Sequence, residues 1–285
     1  MKKNSQFFKF LFLTPVIVYS LLLILLPLLY IFFLSFCKND SYGGVIYQIT
    51  LSNYFSIFDL TYMKILVKSC LIALITTFIC ICISYPFALI LREKSEKTRN
   101  LMTKLVMIPF LTNSLIRTYG WITLLRKNGV INSGLIGAGI ISNPLNLMYN
   151  NLGIIIGMSY TLLPFMILPV CSAVFKIDNS LIEAGRDLGA KPISIFRHII
   201  VPETISGVFN GSLMVFIPAI GYFFISDILG GGKVMIIGNL IKNQFLTARN
   251  WPFGSAISIF LIVITFVLVK IYQRLGGKLD DLGGM

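Results

Sequence analysis

Phe10–Cys37 reads FLFLTPVIVYSLLLILLPLLYIFFLSFC, bounded by Lys9 and Lys38 with no charge between them. A helix crosses the hydrocarbon core with about 20 apolar residues, so this stretch alone is long enough to span a bilayer. A secretory signal has an apolar region of only about 7–15 residues, closed by a small-residue cleavage site. The run is longer and has no such site, so an uncleaved first span is expected. Cutting the rest of the chain at its charges returns Ser69–Leu91, Thr204–Ser226 and Asn250–Val269. Asn128–Phe175 is also uncharged, but densely apolar only from about Leu152. Leu105–Ile116 and Thr118–Leu125 are split by Arg117, with Tyr119 and Trp121 suited to an interfacial end. Counting that stretch as the third span, the sequence predicts an all-α membrane protein with six transmembrane helices.

Composition agrees. The 285 residues are 56% hydrophobic and 12% charged, against about 25% charged in soluble domains. The mean hydropathy is +0.85. A soluble enzyme, a disordered tail protein and a nucleic-acid binder are excluded. The net charge of +13 does not signal nucleic acid, because its lysines and arginines punctuate apolar runs as loop charge. Most of them fall on one side when the N-terminus is placed in the cytoplasm: Lys2, Lys3 and Lys9; Arg92, Lys94, Lys97, Arg99 and Lys104; Lys176, Arg186, Lys191 and Arg197; Lys270, Arg274 and Lys278. The expected organisation is a cytoplasmic N-terminus (1–9), a transmembrane domain (10–270) with a cytoplasmic segment at 176–203, and a cytoplasmic tail (271–285).

Catalytic chemistry finds no foothold. Cys37, Cys70, Cys80, Cys82 and Cys171 lack metal-ligand spacing and read as small packing residues; no metal is expected. The outer loops, about Lys38–Lys68 and Arg126–Asn151, are too short for a catalytic domain. Gly230-Gly231-Gly232-Lys233-Val234 fails as a phosphate loop, since Val234 offers no hydroxyl for magnesium and Asp227 stands where the opening glycine belongs. Asp40 and Asp59 read as solvated loop charge, and His198 as a surface or packing residue. Pro15, Pro27, Pro86, Pro109, Pro164, Pro169 and Pro218 fall in spans, where proline is tolerated with kinks.

Lys176–Glu203 carries the most information. Ser180-Leu181-Ile182-Glu183 fits a capping box, a helix runs to Leu188, and Gly189 suits a left-handed closing residue. Pro192 opens a second helix, with Ile195, Phe196, Ile199 and Ile200 on one apolar face. Pro202 and Glu203 open the fifth span. Such an apolar face calls for cover, and a partner groove would supply it.

Glu183-Ala184-Gly185, then Gly189, then Ile199-Ile200-Val201-Pro202 resembles the EAA coupling motif of ABC importer permeases, with Gly185 in place of the second alanine and Val201 in place of leucine. Pro109–Trp121, Asp227–Gly231 with Ile237-Gly238-Asn239, and Asn250–Gly254 are similar to regions of spermidine/putrescine permeases of the first type. The resemblance implies a type I importer fold, with a five-helix core plus the N-terminal span. It implies partners: a second related permease, an ATP-binding subunit dimer and an extracytoplasmic polyamine-binding protein, all around a lipid bilayer and with no nucleic acid. No cofactor is expected on this chain; ATP and Mg would sit on the ATPase. Glu183, Ala184, Gly185, Gly189, Ile199 and Pro202 would couple to that ATPase.

Polyamine ammonium groups call for carboxylates and aromatic faces. Asp227, Tyr222, Tyr160, Trp121 and Asn113 are the pathway candidates. Arg117 would repel a polyamine and is expected to face the partner permease or pair with a carboxylate, Asp227 among them. An importer for another small solute and an ion-coupled secondary carrier are the alternatives. The second would need inverted repeats and midplane charges that the sequence does not display.

Overall fold

The computed structural model describes residues 13–40 and 43–274. Lys2, Lys3, Lys9 and Lys278, with the expected N-terminus and most of the expected tail, lie outside the described residues. In chain order the elements are α1 (Leu13–Leu34), a two-stranded antiparallel hairpin of β1 (Lys38–Asn39) and β2 (Val45–Ile46), α2 (Ser52–Ile57), α3 (Leu60–Arg92) and α4 (Glu96–Met107). After a 3-10 turn at Ile108–Leu111 come α5 (Ser114–Leu125), α6 (Val130–Gly137), α7 (Asn151–Phe175) and α8 (Asn179–Asp187). The chain continues through α9 (Pro192–Gly221), α10 (Phe223–Gly230), α11 (Ile237–Leu246) and α12 (Trp251–Arg274).

Five of these helices, α1, α3, α7, α9 and α12, are long and apolar enough to cross a membrane. The expected third span is broken instead. Pro109 cannot donate a backbone hydrogen bond and crowds the preceding turn, so α4 gives way to the 3-10 turn Ile108–Leu111. Thr112 is extended, and the Asn113 side chain accepts from the Leu115 N–H at 2.8 Å to start α5.

The fifth span also starts elsewhere than expected. Pro192–Gly221 is a single helix, with no boundary at Pro202. A π turn at Phe196–Ile200, closed by the Val201 N–H on the Phe196 carbonyl, lies just before that proline. The same device appears in α1, where a π turn at Leu21–Leu25 precedes Pro27. Widening the turn shifts the hydrogen-bond register where a proline N–H is missing. Helices α3, α7 and α9 continue through Pro86, Pro164, Pro169 and Pro218.

The described residues form two compact units. The first comprises those up to Met63 with Leu240–Ile264. There Asn53 Nδ2 donates to the Ser35 and Cys37 carbonyls at 3.0 and 2.8 Å, and the Ser35 and Tyr54 hydroxyls lie 2.7 Å apart. Tyr62 packs on Phe253 with ring centroids 4.9 Å apart. Helix α1 buries almost nothing, which suits a surface bathed by lipid tails.

The second unit comprises Lys64–Asn239 with the residues from Thr265 on. Its axis is α7, whose Ile154, Met158, Leu162, Met166, Val170 and Val174 form a fully buried stripe at every fourth position. Helices α9 and α10 pack against it. The approach is close because the contacts are glycines. A Cβ on Gly207 would meet Ala173 and lie 2.7 Å from the Pro169 carbonyl; one on Gly211 would lie 2.6 Å from Met166 Sδ. Gly157 on α7 admits Leu229 and Ile225 of α10 in the same way. Gly153/Gly157 and Gly207/Gly211 are thus two small-xxx-small seams, the packing device of membrane helices.

Candidate functional site

Residues 176–203 fold into a capped pair of helices. Helix α8 begins at Asn179, with Asp178 extended and its carboxylate accepting from the Ser180 N–H at 3.0 Å. The expected capping box on Ser180 is therefore replaced by an aspartate two residues earlier. An ionised carboxylate suits the positive end of the helix. The same bond holds the Asp178 carboxyl below its ordinary pKa. At the other end the expected left-handed residue is found: Gly189 has φ +73°. Its N–H bonds the Arg186 carbonyl at 2.8 Å, and the Ala190 N–H bonds that of Gly185 at 3.0 Å. This pair of bonds is a Schellman closure. Pro192 then stands at the first turn of α9, as expected.

The apolar face of the pair is covered from within. Ile177, Ile182 and Ile195 form a buried cluster with Ala190, Ile199 and Ile200 packed on it, and Phe196 meets the Tyr85 ring at 5.5 Å. The expectation that these isoleucines await a partner is corrected: α8 folds back and supplies the cover. Gly185 lies against this closure, where a Cβ would sit 2.9 Å from Ile199 Cδ1, the free end of a side chain that can turn aside. Pointing outward are Glu183 and Ala184, with Leu181, Ile193 at 71% and Leu188 at 88% exposure. Leu188 and Ile193 are surface residues that pattern reading missed. The signal was present, because Leu188 is an apolar residue at the C-cap, where the closing bonds involve only backbone. Pro202 is exposed, past the π turn. Arg92, ending α3, fixes the pair by donating from Nη2 to the Ile177 carbonyl at 3.0 Å and to Asn179 Oδ1 at 2.8 Å.

The pathway candidates divide. Helices α5, α7 and α10 pack together, and this joins Trp121 to Tyr160 edge-on, with centroids 5.3 Å apart. The Arg117 guanidinium lies over the Phe110 ring at 4.9 Å and near the Tyr160 ring at 6.0 Å. Tyr222, in the break between α9 and α10, lies against Phe224 with ring centroids 4.8 Å apart and the planes tilted by 43°. Asp227 is drawn elsewhere: the buried Asn239 donates to its Oδ1 at 2.6 Å and to the Phe223 carbonyl at 3.1 Å, and accepts from the Ile236 N–H at 3.1 Å. Asn113 caps α5 with an exposed side chain and does not join the aromatic group. The run Gly230–Gly232 ends α10, with Gly231 left-handed at its C-cap, whereas a phosphate loop would open a helix.

No family model matches the sequence. Among curated proteins, the spermidine/putrescine transport system permease protein PotB of Haemophilus influenzae is 43% identical over 95% of this chain and 94% of its own. PotB of Salmonella typhimurium strain SL1344 is 40% identical over 98% of this chain and 99% of its own. Among solved structures, a bacterial ABC transporter involved in the import of the acidic polysaccharide alginate superposes with a TM-score of 0.77. It covers 95% of this chain and 96% of its own at 16% identity, which speaks for the fold alone. With type I permease architecture and this identity over nearly the full length, the chain belongs to the PotB family of spermidine/putrescine transport system permease proteins.

Proposed function

We propose that this chain is a membrane-spanning subunit of an ATP-driven importer of spermidine and putrescine in a bacterial inner membrane, with both termini in the cytoplasm. Near-full-length identity to the PotB proteins is the observation that carries the cargo. In this reading a second related permease completes the pathway and an extracytoplasmic polyamine-binding protein delivers the solute. Two ATP-binding subunits hold ATP and Mg, and this chain binds no cofactor of its own.

The geometry supports a mechanical role for 176–203. Glu183, Ala184, Leu188 and Ile193 face outward from an element whose interior is already packed. A partner therefore meets a preformed knob and need not fold it. Helix α9 runs unbroken from this knob into the apolar span, so closure of the ATPases displaces a membrane helix directly. Cargo biases the states only through its differential affinity for them. Trp121 and Tyr160 are the pathway residues we favour, since their paired rings offer faces to an ammonium group.

Uptake of labelled spermidine and putrescine by cells carrying the assembled transporter tests the reading. Leu188→Glu and Ile193→Glu should abolish uptake while the protein still inserts and co-purifies with the second permease. Uptake unchanged in both variants would remove the coupling role, and an assembly that carries neither polyamine would remove the cargo.

A further inference from the structure

Arg117 is half-buried on α5, and its Nε and Nη1 are fully buried with no hydrogen-bond acceptor among the described residues. A buried cation normally finds a carboxylate or several carbonyls. Here the guanidinium rests on ring faces instead, over Phe110 and near Tyr160. Each of those rings is held from the side. Phe110 stands edge-on to Phe165 at 5.2 Å and 89°, and Tyr160 edge-on to Trp121 at 5.3 Å and 69°. Rings fixed in this way present their negative faces to one point, which is the arrangement that receives alkylammonium groups.

We infer that Arg117 is a resident cation occupying an aromatic ammonium cage, and that an ammonium group of the cargo displaces it on entry. The inference rests on the polyamine reading. A guanidinium held by π faces, without a salt bridge there, gives way at small cost. The approach of a polycation adds like-charge repulsion that drives it out. In the unloaded transporter the same fixed charge opposes the passage of small inorganic cations, as arginine does in other selective pores. Arg117 then sets specificity: one positive charge substitutes for another, and a neutral or anionic solute has no means to displace it.

The test uses the assembled transporter in nanodiscs, without nucleotide or binding protein, in a Trp251→Phe background, and subtracting the emission of the same assembly carrying Trp121→Phe as well isolates the signal of Trp121. Spermidine and tetramethylammonium are titrated against its fluorescence. Arg117→Met, which keeps the stem and removes the charge, should bind both about tenfold more tightly than the parent. Arg117→Lys should stay near the parent, and adding Tyr160→Leu to Arg117→Met should abolish the gain. Equal affinities in the parent and Arg117→Met overturn the inference. So does an Arg117→Met assembly that loses its second permease and is restored by Arg117→Lys, which assigns the residue to an ion pair with that partner. Uptake of labelled spermidine separates the two readings. Uptake with equal affinities sinks the cage alone; a tetramethylammonium gain without any uptake sinks the cargo and retains the cage.

Discussion

Replacing Gly207 by alanine tests the packing on which both functional regions depend. The added Cβ falls onto Ala173 and lies 2.7 Å from the Pro169 carbonyl oxygen. Ordinary non-bonded carbon contacts are at about 3.5–4.0 Å, so α9 and α7 must part by about 1 Å. Neither neighbour can yield by rotating, because one is a methyl on the backbone and the other is the backbone itself. A gap of 0.5–1 Å forfeits about a quarter to a half of each dispersion contact. The seam is continuous from Gly207 to Gly211, so the loss is shared along it. Overpacking of this kind costs about 1–3 kcal/mol. Thermal unfolding of the purified assembly in detergent should therefore show a lowered Tm. Gly221→Ala, where the new methyl meets nothing within 4 Å, serves as the matched control for helix propensity. Equal melting of Gly207→Ala and Gly221→Ala would refute the argument, because the two differ in steric room and not in the chemistry added.

Gly189→Ala should weaken the α8–α9 pair by about 1–2 kcal/mol, because φ is +73° although nothing crowds the site. Faster limited proteolysis after Leu188 in the assembled transporter reports it. Gly185→Ala should be nearly silent in the same assay, since the only close atom is the mobile end of Ile199. Asp178, its pKa lowered by the Ser180 N–H, stabilises the start of α8 fully above its unfolded value of about 3.9. That contribution is lost as pH falls through the lower folded value. The protection of the Ser180 amide, its exchange rate relative to the intrinsic rate at the same pH, should therefore fall in acid, and Asp178→Ala should remove that fall. Asn239→Ala should take one hydrogen bond from Asp227 and one from the Phe223 carbonyl, and should lower stability by about 1–3 kcal/mol, read as a fall in Tm; an unchanged Tm would mean the clamp is replaced by water.

Charge-free runs made the long helices legible because a membrane span needs no partner to declare itself. Gly189 and Pro192 were legible for a local reason, as each answers a backbone requirement within a few residues. Asp178 was missed because Ser180 and Glu183 offered a rival cap at the customary spacing, and only geometry decides between them. The break at Pro109 was hidden by a run that is uncharged throughout, although Asn113 before Ser114 was a readable helix start. The cover of Ile195, Ile199 and Ile200 is not legible, because periodicity identifies an apolar face without saying what covers it. Gly153, Gly157, Gly207 and Gly211 carried a readable four-residue spacing that names their role. The meeting of Arg117 with Phe110 and Tyr160 joins separate helices, and no local pattern encodes it.

The π turn at Phe196–Ile200 gives α9 a phase slip. From Ile195 and Ile199 to Gly207 and Gly211 an uninterrupted α-helix would turn by roughly 120°, and the one additional residue in a single turn takes back roughly 100°, so the face that grips α8 and the face that grips α7 are brought nearly into line. A displacement of Ile195 and Ile199 consequently reaches Gly207 and Gly211 along almost the same compass bearing. The rod hands on sideways motion as sideways motion, with little twist.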